Sequence, residues 1–372
     1  MTHHFDICIR GGGIVGHTLA LLLARERLRV GLVHPPPISP APPGPDVRVY
    51  ALNSKSRSLL ESVRCWPDAL NATAVTEMQV SGDDGGQLVF SAAELGVDAL
   101  TWIVDVPTLE AQLSDAVRFQ PQIELLDAPC EADLTVVCEG KASRSRAELG
   151  VEFAVSRYSQ HAIAARLRCE LPHAQIARQW FTPGEILAFL PLQGEQGLEV
   201  GIVWSVQEGR ASDVLHADEA DFCAELEQIS AGALGKLALA SERAGWPLQT
   251  AQASRWVGQT GQMSWALAGD AAHNVHPLAG QGLNLGLGDV AELARVLHTR
   301  EYWRSVADPK LLRRYERARR TEVTATGLVM DGLQQLFARD GRAWQALRNW
   351  GMNGFDLSGL AKQQAARYAM GL

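Results

Sequence analysis

Gly269-Asp270-Ala271-Ala272-His273-Asn274-Val275-His276-Pro277-Leu278-Ala279-Gly280-Gln281-Gly282-Leu283-Asn284-Leu285-Gly286-Leu287-Gly288-Asp289 separates two stretches of different period. Before it, Trp265 to Ala268 is an apolar run of strand length; after it, Leu283, Leu287, Val290, Leu293 and Leu297 recur at helical spacing. The glycines therefore occupy a strand-to-helix turn. Gly280 and Gly282 let backbone approach a flat ligand closely, and N–H groups at the helix start favour an anionic or carbonyl-rich partner. Asp270, ending the strand, suits ligand hydroxyls. His273 and His276 form an H-x-x-H pair beside it, but no third His or Cys stands at ligand spacing, so no metal is expected.

A second glycine turn lies at the other end of the chain. Phe5 to Arg10 is a short apolar-rich strand running into Gly11-Gly12-Gly13-Ile14-Val15-Gly16, and Leu19, Leu22 and Leu23 continue as a helix. Strand, G-x-G-x-x-G and helix in that order point to a dinucleotide site: Gly11 for the tight turn, Gly13 for the approach of a pyrophosphate, Gly16 for close helix packing. The next strand, Val30 to Val33, ends in His34 where an acidic residue would bond the adenosine ribose. A neutral imidazole can bond a hydroxyl but does not offer two carboxylate oxygens. Pro35 to Pro45 is proline-rich and reads as a stiff surface loop.

On these residues, Gly269 to Gly288 resembles the second flavin-binding motif of the class A FAD-dependent aromatic hydroxylases, the p-hydroxybenzoate hydroxylase type. Within that group, His276 to Gly286 is similar to the ubiquinone-biosynthesis hydroxylases of the UbiH type. The resemblance implies a mixed α/β fold: a Rossmann-like FAD-binding domain, an inserted antiparallel-sheet substrate domain and a helical C-terminus. It implies FAD as cofactor, NAD(P)H as co-substrate, and oxygen transfer from a flavin C4a-hydroperoxide to the ring of an aromatic or prenylated quinone precursor. Such chemistry belongs to the cofactor, so no Ser/His/Asp triad or carboxylate pair is required, and no catalytic side chain is assigned.

Carried over residue by residue, Ile14 and Val15 belong to the pyrophosphate turn and Asp270 to the ribityl chain. Pro277, Leu278, Ala279, Gly280, Gln281, Gly282, Leu283 and Asn284 would lie along the isoalloxazine ring. Arg48, in Asp46-Val47-Arg48-Val49-Tyr50-Ala51-Leu52, would lie near the flavin. Glu139-Gly140 stands where relatives have Asp-Gly, with Ser143 and Arg146 at the matching places. The clear departures fall on the nucleotide half: His34, Glu139, and only residues 127–133 between the strands Ile123 to Leu126 and Leu134 to Val137, where the family usually inserts a three-stranded meander; Pro107, in place of a polar residue, also removes one possible flavin contact. They motivate weakened FAD binding and an alternative reading as a flavin-poor subunit of a quinone-biosynthesis assembly. A further alternative, a hydroxylase of a small aromatic acid, would need a cation such as Arg166, Arg168 or Arg178.

The remainder of the chain fits this outline. Met78 to Ser81 and Gln87 to Phe90 read as a hairpin, and Trp102 to Val106 as a strand after which Pro107 opens a helix. Arg157 to Cys169 and Gln175 to Leu192 alternate as strands of a half-buried antiparallel sheet, with Arg178, Trp180, Phe181 and Pro191 as candidates for the substrate wall. Asp218 to Leu239 reads as one helix, and Lys310 to Phe337 as a long amphipathic helix bearing Arg313, Arg314, Arg317, Arg319 and Arg320. The domains expected are 1–76, 103–150 and 256–300 for FAD, 77–102 and 151–255 for substrate, and 301–372 as the helical end. The apolar tail from Trp344 to Leu360 is expected to pack on its own chain, or on a membrane surface or partner subunit.

A chain of 372 residues can bury a large core, and a net charge of −8 with pI near 5.7 argues against nucleic acid. The six cysteines form no C-x-x-C pair and fit reduced thiols. No apolar run is long enough to span a bilayer, and the N-terminus lacks a signal peptide's pattern. The expected location is the cytoplasm, free or peripheral to the inner face of the membrane.

Overall fold

The strand Phe5–Arg10 and its parallel neighbours Val30–Val33 and Ala132–Val137 bury Ile7, Ile9, Val30, Leu32, Leu134 and Val136 in one core under the flanking helices. The computed structural model describes residues 4–34, 46–82, 85–192, 195–275 and 281–338, with Arg367 and Met370. The first sheet has the order Val257–Thr260, Met263–Leu267, Ala132–Val137, Phe5–Arg10, Val30–Val33, Ile123–Leu126, with only its Val257–Thr260 edge antiparallel. Helices Ile14–Arg25, Val106–Arg118, Gln281–His298 and Pro309–Ala338 contribute to its core, in which Trp256, Trp265 and Tyr315 are fully buried.

Ile123–Leu126 and Ala132–Val137 are consecutive parallel strands of one sheet, as expected, but they are not adjacent in it. Val30–Val33 and Phe5–Arg10 lie between them. Leu126 is level with Val137 through Val33 and Arg10, whereas Ala132 is level with Phe5. Residues 127–131 therefore cross the sheet diagonally past the two intervening strands, bending at Asp127 and Ala128. The result is a short diagonal strap. A Cβ on Gly31 would lie 2.6 Å from Cys130 Sγ, so the missing side chain of Gly31 makes room for it.

The second sheet has nine strands, ordered His273–Asn274, Ala244–Ala253, Phe153–Cys169, Glu199–Gln207, Glu185–Leu192, Ile176–Thr182, Glu77–Ser81, Gln87–Ser91, with Leu237–Leu239 paired to the end of Phe153–Cys169. Its alternation sorts two faces. Ile163, Leu187, Phe189 and Trp204 pack under the helices Glu208–His216 and Glu219–Ile229, while Ala162, Ala164, Ala188 and Ser205 face a cavity. A small antiparallel sheet of Val49–Leu52, Thr101–Asp105 and Ala72–Val75 lies beside it, so Thr101 and Trp102 pair there rather than with the large sheet.

The helix expected over Asp218 to Leu239 stops at Ile229. Ala231, Gly232 and Gly235 have φ of 51°, 67° and 68°, which no right-handed helix accommodates, and the chain turns back so that Leu237–Leu239 pairs with Leu167–Cys169. Most of the C-terminal tail lies outside the described residues. Near its end, Met370 is 5% exposed against Ala92, Leu95 and Leu100, and its carbonyl accepts from Ser54 Oγ at 2.8 Å. No helix among the described residues is long and apolar enough to cross a membrane.

Candidate active site

The two glycine turns meet. Val15, in the first, packs between Gly269 and Gly286 of the second: a Cβ on either would come within 3.3 Å or 3.0 Å of its methyl groups. Gly16 likewise has no space for a side chain, since its Cβ would lie 1.8 Å from the carbonyl oxygen of Gly11. Gly13 and Gly282 differ, with nothing within 4 Å of a Cβ position. These closed glycines set the backbones against each other and the open ones leave room for a ligand, so the turns fit a dinucleotide with a flat ring.

A cavity of about 590 Å³ begins at this junction. Gly13, Ile14, Val15, Arg48, Gly269, Asp270, Gly282 and Leu283 line one part, and Arg178 belongs to the wall formed by the large sheet. Pro277, Leu278, Ala279 and Gly280 lie outside the described residues; Gln281 opens the following helix. Gly11 and Gly16 support the turn from beneath. Tyr50, Lys141, Trp246 and Gln249 also line the cavity, and sequence reading had not singled them out as site residues.

Other candidates stand elsewhere. His34 is exposed and leans over the glycine turn, with Nδ1 1.9 Å from the Cβ position of Gly12. Glu139 turns onto the start of the helix Arg144–Glu148, accepting from Ser143 Oγ (2.8 Å), Ser145 Oγ (2.6 Å) and Ser145 N (3.0 Å). Burial opposes its charge, but these donors hold the carboxyl below its usual range. Trp180 packs edge-on to Phe189, at 4.9 Å between ring centroids, in the core under the helices. Neither these three residues nor Phe181 and Pro191 are among the cavity walls. Asn284 is a pin rather than a wall: its Oδ1 accepts from Asn53 N (3.0 Å) and Ser56 Oγ (2.7 Å), and its Nδ2 donates to the Ala51 carbonyl (2.8 Å). It thereby ties the helix Gln281–His298 to the Arg48 segment.

Asp270 is presented by the turn after Met263–Leu267, where Gly269 takes φ of 63°. Burial pushes its carboxyl above the usual range, opposed by the charges of Lys141 and His273. Asn274, with its amide nitrogen on the Gln249 carbonyl (2.7 Å) and its oxygen on Lys141 Nζ (3.1 Å), holds Lys141 nearby. Arg146, 7% exposed, donates to the carbonyls of Ala271 (3.1 Å) and Lys141 (2.8 Å) and fixes both segments. Arg48 forms a double bond pair with Asp46, Nε to Oδ2 at 2.9 Å and Nη2 to Oδ2 at 2.6 Å, and Glu110 stands 3.7 Å away.

Behind the Asp270 turn is a buried ion cluster. Asp289, fully buried, accepts from Gly269 N (2.8 Å), His273 Nε2 (2.6 Å) and Arg319 Nε (2.8 Å). Burial opposes its charge, yet His273 and Arg319 hold its carboxyl below the usual range. Trp256 stacks on His273 at 4.8 Å, and Tyr315 Oη donates to the Leu267 carbonyl at 2.8 Å. His273 is thus a core hydrogen-bond partner of Asp289 in this structure. Asp289 and Arg319 were not legible as a pair, because residues on two separate helices meet only through tertiary packing.

Comparison with known proteins agrees with this geometry. The chain is 29% identical to 3-demethoxyubiquinol 3-hydroxylase of Escherichia coli strain K12, over 99% of this chain and 98% of that protein. It is 29% identical to ubiquinone hydroxylase UbiL of Rhodospirillum rubrum, over 98% of this chain and 89% of the relative. The fold is shared with PqsL, a probable FAD-dependent monooxygenase from Pseudomonas aeruginosa, at a TM-score of 0.77 and 20% identity over 95% of this chain and all of that one. It is also shared with p-nitrophenol 4-monooxygenase PnpA from Pseudomonas putida, at a TM-score of 0.77 and 16% identity over 100% of this chain and 99% of that one. The FAD binding domain family matches residues 117–327, which carry the whole Asp270 turn and its buried support. With more than half of its length in that match and both glycine turns closing on one cavity, this chain belongs to the FAD binding domain family.

Proposed function

We propose that the protein is an FAD-dependent monooxygenase of the UbiH type that hydroxylates the aromatic ring of a ubiquinone-biosynthesis intermediate, with NAD(P)H as reductant. The observation that carries this reading is the course of the cavity: it runs from the junction of the two glycine turns to an apolar wall of Ala162, Ala164 and Ala188. End-to-end similarity to proteins named for ubiquinone hydroxylation supports the substrate class.

Bound FAD would supply the reduction and activation of oxygen. The chain's own part is binding, orientation and exclusion of water. Backbone N–H groups from Gly13 to Val15, at the start of a helix, receive a pyrophosphate, and the Asp270 carboxylate accepts from ribityl hydroxyls. Alanines in place of larger residues give a smooth wall against which a flat ring can lie, and the apolar lining excludes water from the reacting centre. Arg178 donates to the carbonyls of His173 (3.2 Å) and Ile176 (3.4 Å) with Glu77 nearby, and as a cation in the cavity wall it can hold a phenolic oxygen as the anion, which enriches the ring in electrons. Incubating the protein with FAD, NADH or NADPH and a short-chain prenylated phenol, followed by mass spectrometry, tests the reading. A product heavier by one oxygen atom is expected; reductant consumed with peroxide as the sole product would refute it for that substrate class.

A further inference from the structure

We infer that the N-terminal half of the helix Pro309–Ala338, with the loop before it, is a docking surface for an anionic lipid bilayer. Lys310, Arg313, Arg314 and Arg317 recur at i, i+3, i+4 and i+7, and all four are exposed. They form one cationic face on a chain of net charge −8. Nearby acids are engaged elsewhere: Glu301 and Asp308 with Arg304, Glu316 with Arg320. The side chains of Arg313, Arg314 and Arg317 have no ion pair or hydrogen bond among the described residues. The face also works against its own helix. Cations in the first turns oppose the helix dipole; the Asp308 carboxylate caps the Lys310 N–H at 2.8 Å but is itself paired with Arg304, and no acidic residue stands within the first turn. A feature that costs local stability without an internal partner points to an external one.

The loop before the helix indicates which partner. Tyr302 and Trp303 are 94% and 67% exposed and pack edge-on to each other, at 4.9 Å between centroids, instead of turning inward. Along the helix, Leu328 is 69% exposed and stands 18 residues, or about five full turns, after Lys310, hence on the same side. Adjacent Tyr and Trp side chains suit the headgroup layer, a leucine the acyl boundary, and unpaired arginines the lipid phosphates. An acidic protein would match the charge but would leave the two aromatic side chains unexplained. The inference stands apart from the hydroxylase reading, because docking needs neither cofactor nor substrate.

Flotation of the full-length protein with vesicles is the test. It should float with phosphatidylcholine vesicles containing phosphatidylglycerol, not with phosphatidylcholine alone, and added salt should release it. At about fivefold per arginine, the combined Arg313→Gln, Arg314→Gln and Arg317→Gln variant should bind roughly a hundredfold more weakly. Its melting temperature should be unchanged or raised, which a structural role for these arginines would not give. Tyr302→Ser with Trp303→Ser should weaken binding while keeping its salt dependence. No flotation with anionic vesicles at low salt would overturn the inference, as would undiminished binding by the arginine variant, a lowered melting temperature in it, or self-association through this face without lipid binding.

Discussion

The two ends of the cavity are supported by different means. Around Asp270 the backbone is held by fully buried charges: Asp289 binds the Gly269 N–H, His273 and Arg319 together, so a strand end, a turn and the long C-terminal helix share one carboxylate. Around the first glycine turn the neighbouring polar groups are an exposed His34 and a Glu139 that caps a short helix instead of facing the cavity. A buried pair fixes geometry strongly because breaking it strands a charge, whereas surface groups leave affinity to the backbone and the ligand. The contrast leads us to expect that FAD is positioned mainly from its flavin end.

The strongest test of this contrast is Asp289→Ala. It leaves the Gly269 N–H and His273 without their acceptor and Arg319 with the half-exposed Glu322 as its remaining counter-charge, and chemical denaturation should show a loss of about 3–5 kcal/mol. A loss below about 1 kcal/mol would mean that the cluster is not the anchor described. Next is Asp270→Ala, which removes a ligand-facing carboxyl already disfavoured by burial. The fold should remain, and flavin affinity measured by fluorescence quenching should fall tenfold to a hundredfold, as for a lost charge-assisted hydrogen bond of about 1.5–3 kcal/mol. Unchanged affinity would exclude Asp270 as the ribityl partner.

A third measurement addresses the adenosine end. Burial, together with the nearby His34, lowers His17 from 6.5 to about 4. As pH falls through about 6.5 the unfolded chain takes up this proton before the folded one does, so the contribution of His17 is present above that pH and is lost on the way down to about 4. The loss should be on the order of 3 kcal/mol, and His17→Gln should flatten the stability profile in that window. The smallest effect expected is that of His34→Glu. If a carboxylate at the end of Val30–Val33 reaches the ribose, calorimetry should show roughly tenfold tighter FAD binding. Nanomolar wild-type affinity that the substitution does not alter would remove the idea of a weak adenosine end.

What could be read in the sequence was what depends on local period and turn chemistry. Gly11 to Gly16 between an apolar strand and an apolar helix, and Asp270 at a strand end, are decided by neighbours in the chain. The alternation in Arg157 to Cys169 similarly showed a half-buried strand, although not that its alanines face the cavity. What could not be read depends on contacts distant in sequence. Asp289 and Arg319 are charged residues at ordinary helical positions until packing brings them together, and Lys141 comes to bear on Asp270 from far away in the chain. The helix over Asp218 to Leu239 was overextended because Leu234 keeps the apolar spacing, while the left-handed backbone from Ala231 to Gly235 leaves no mark in that pattern.

The diagonal strap of residues 127–131 has an asymmetric consequence for chain length. Only five residues make the crossing, so a deletion there draws on the register of the flanking strands, and a slip by one residue turns a strand's buried face outward. Lengthening carries no such penalty: extra residues can bulge away from the sheet, and each doubling of a loop costs only about 0.6 kcal/mol. The crossing, where Cys130 lies over Gly31, is therefore more open to insertion than to deletion. It is the point at which this fold could receive an added module without disturbing either glycine turn.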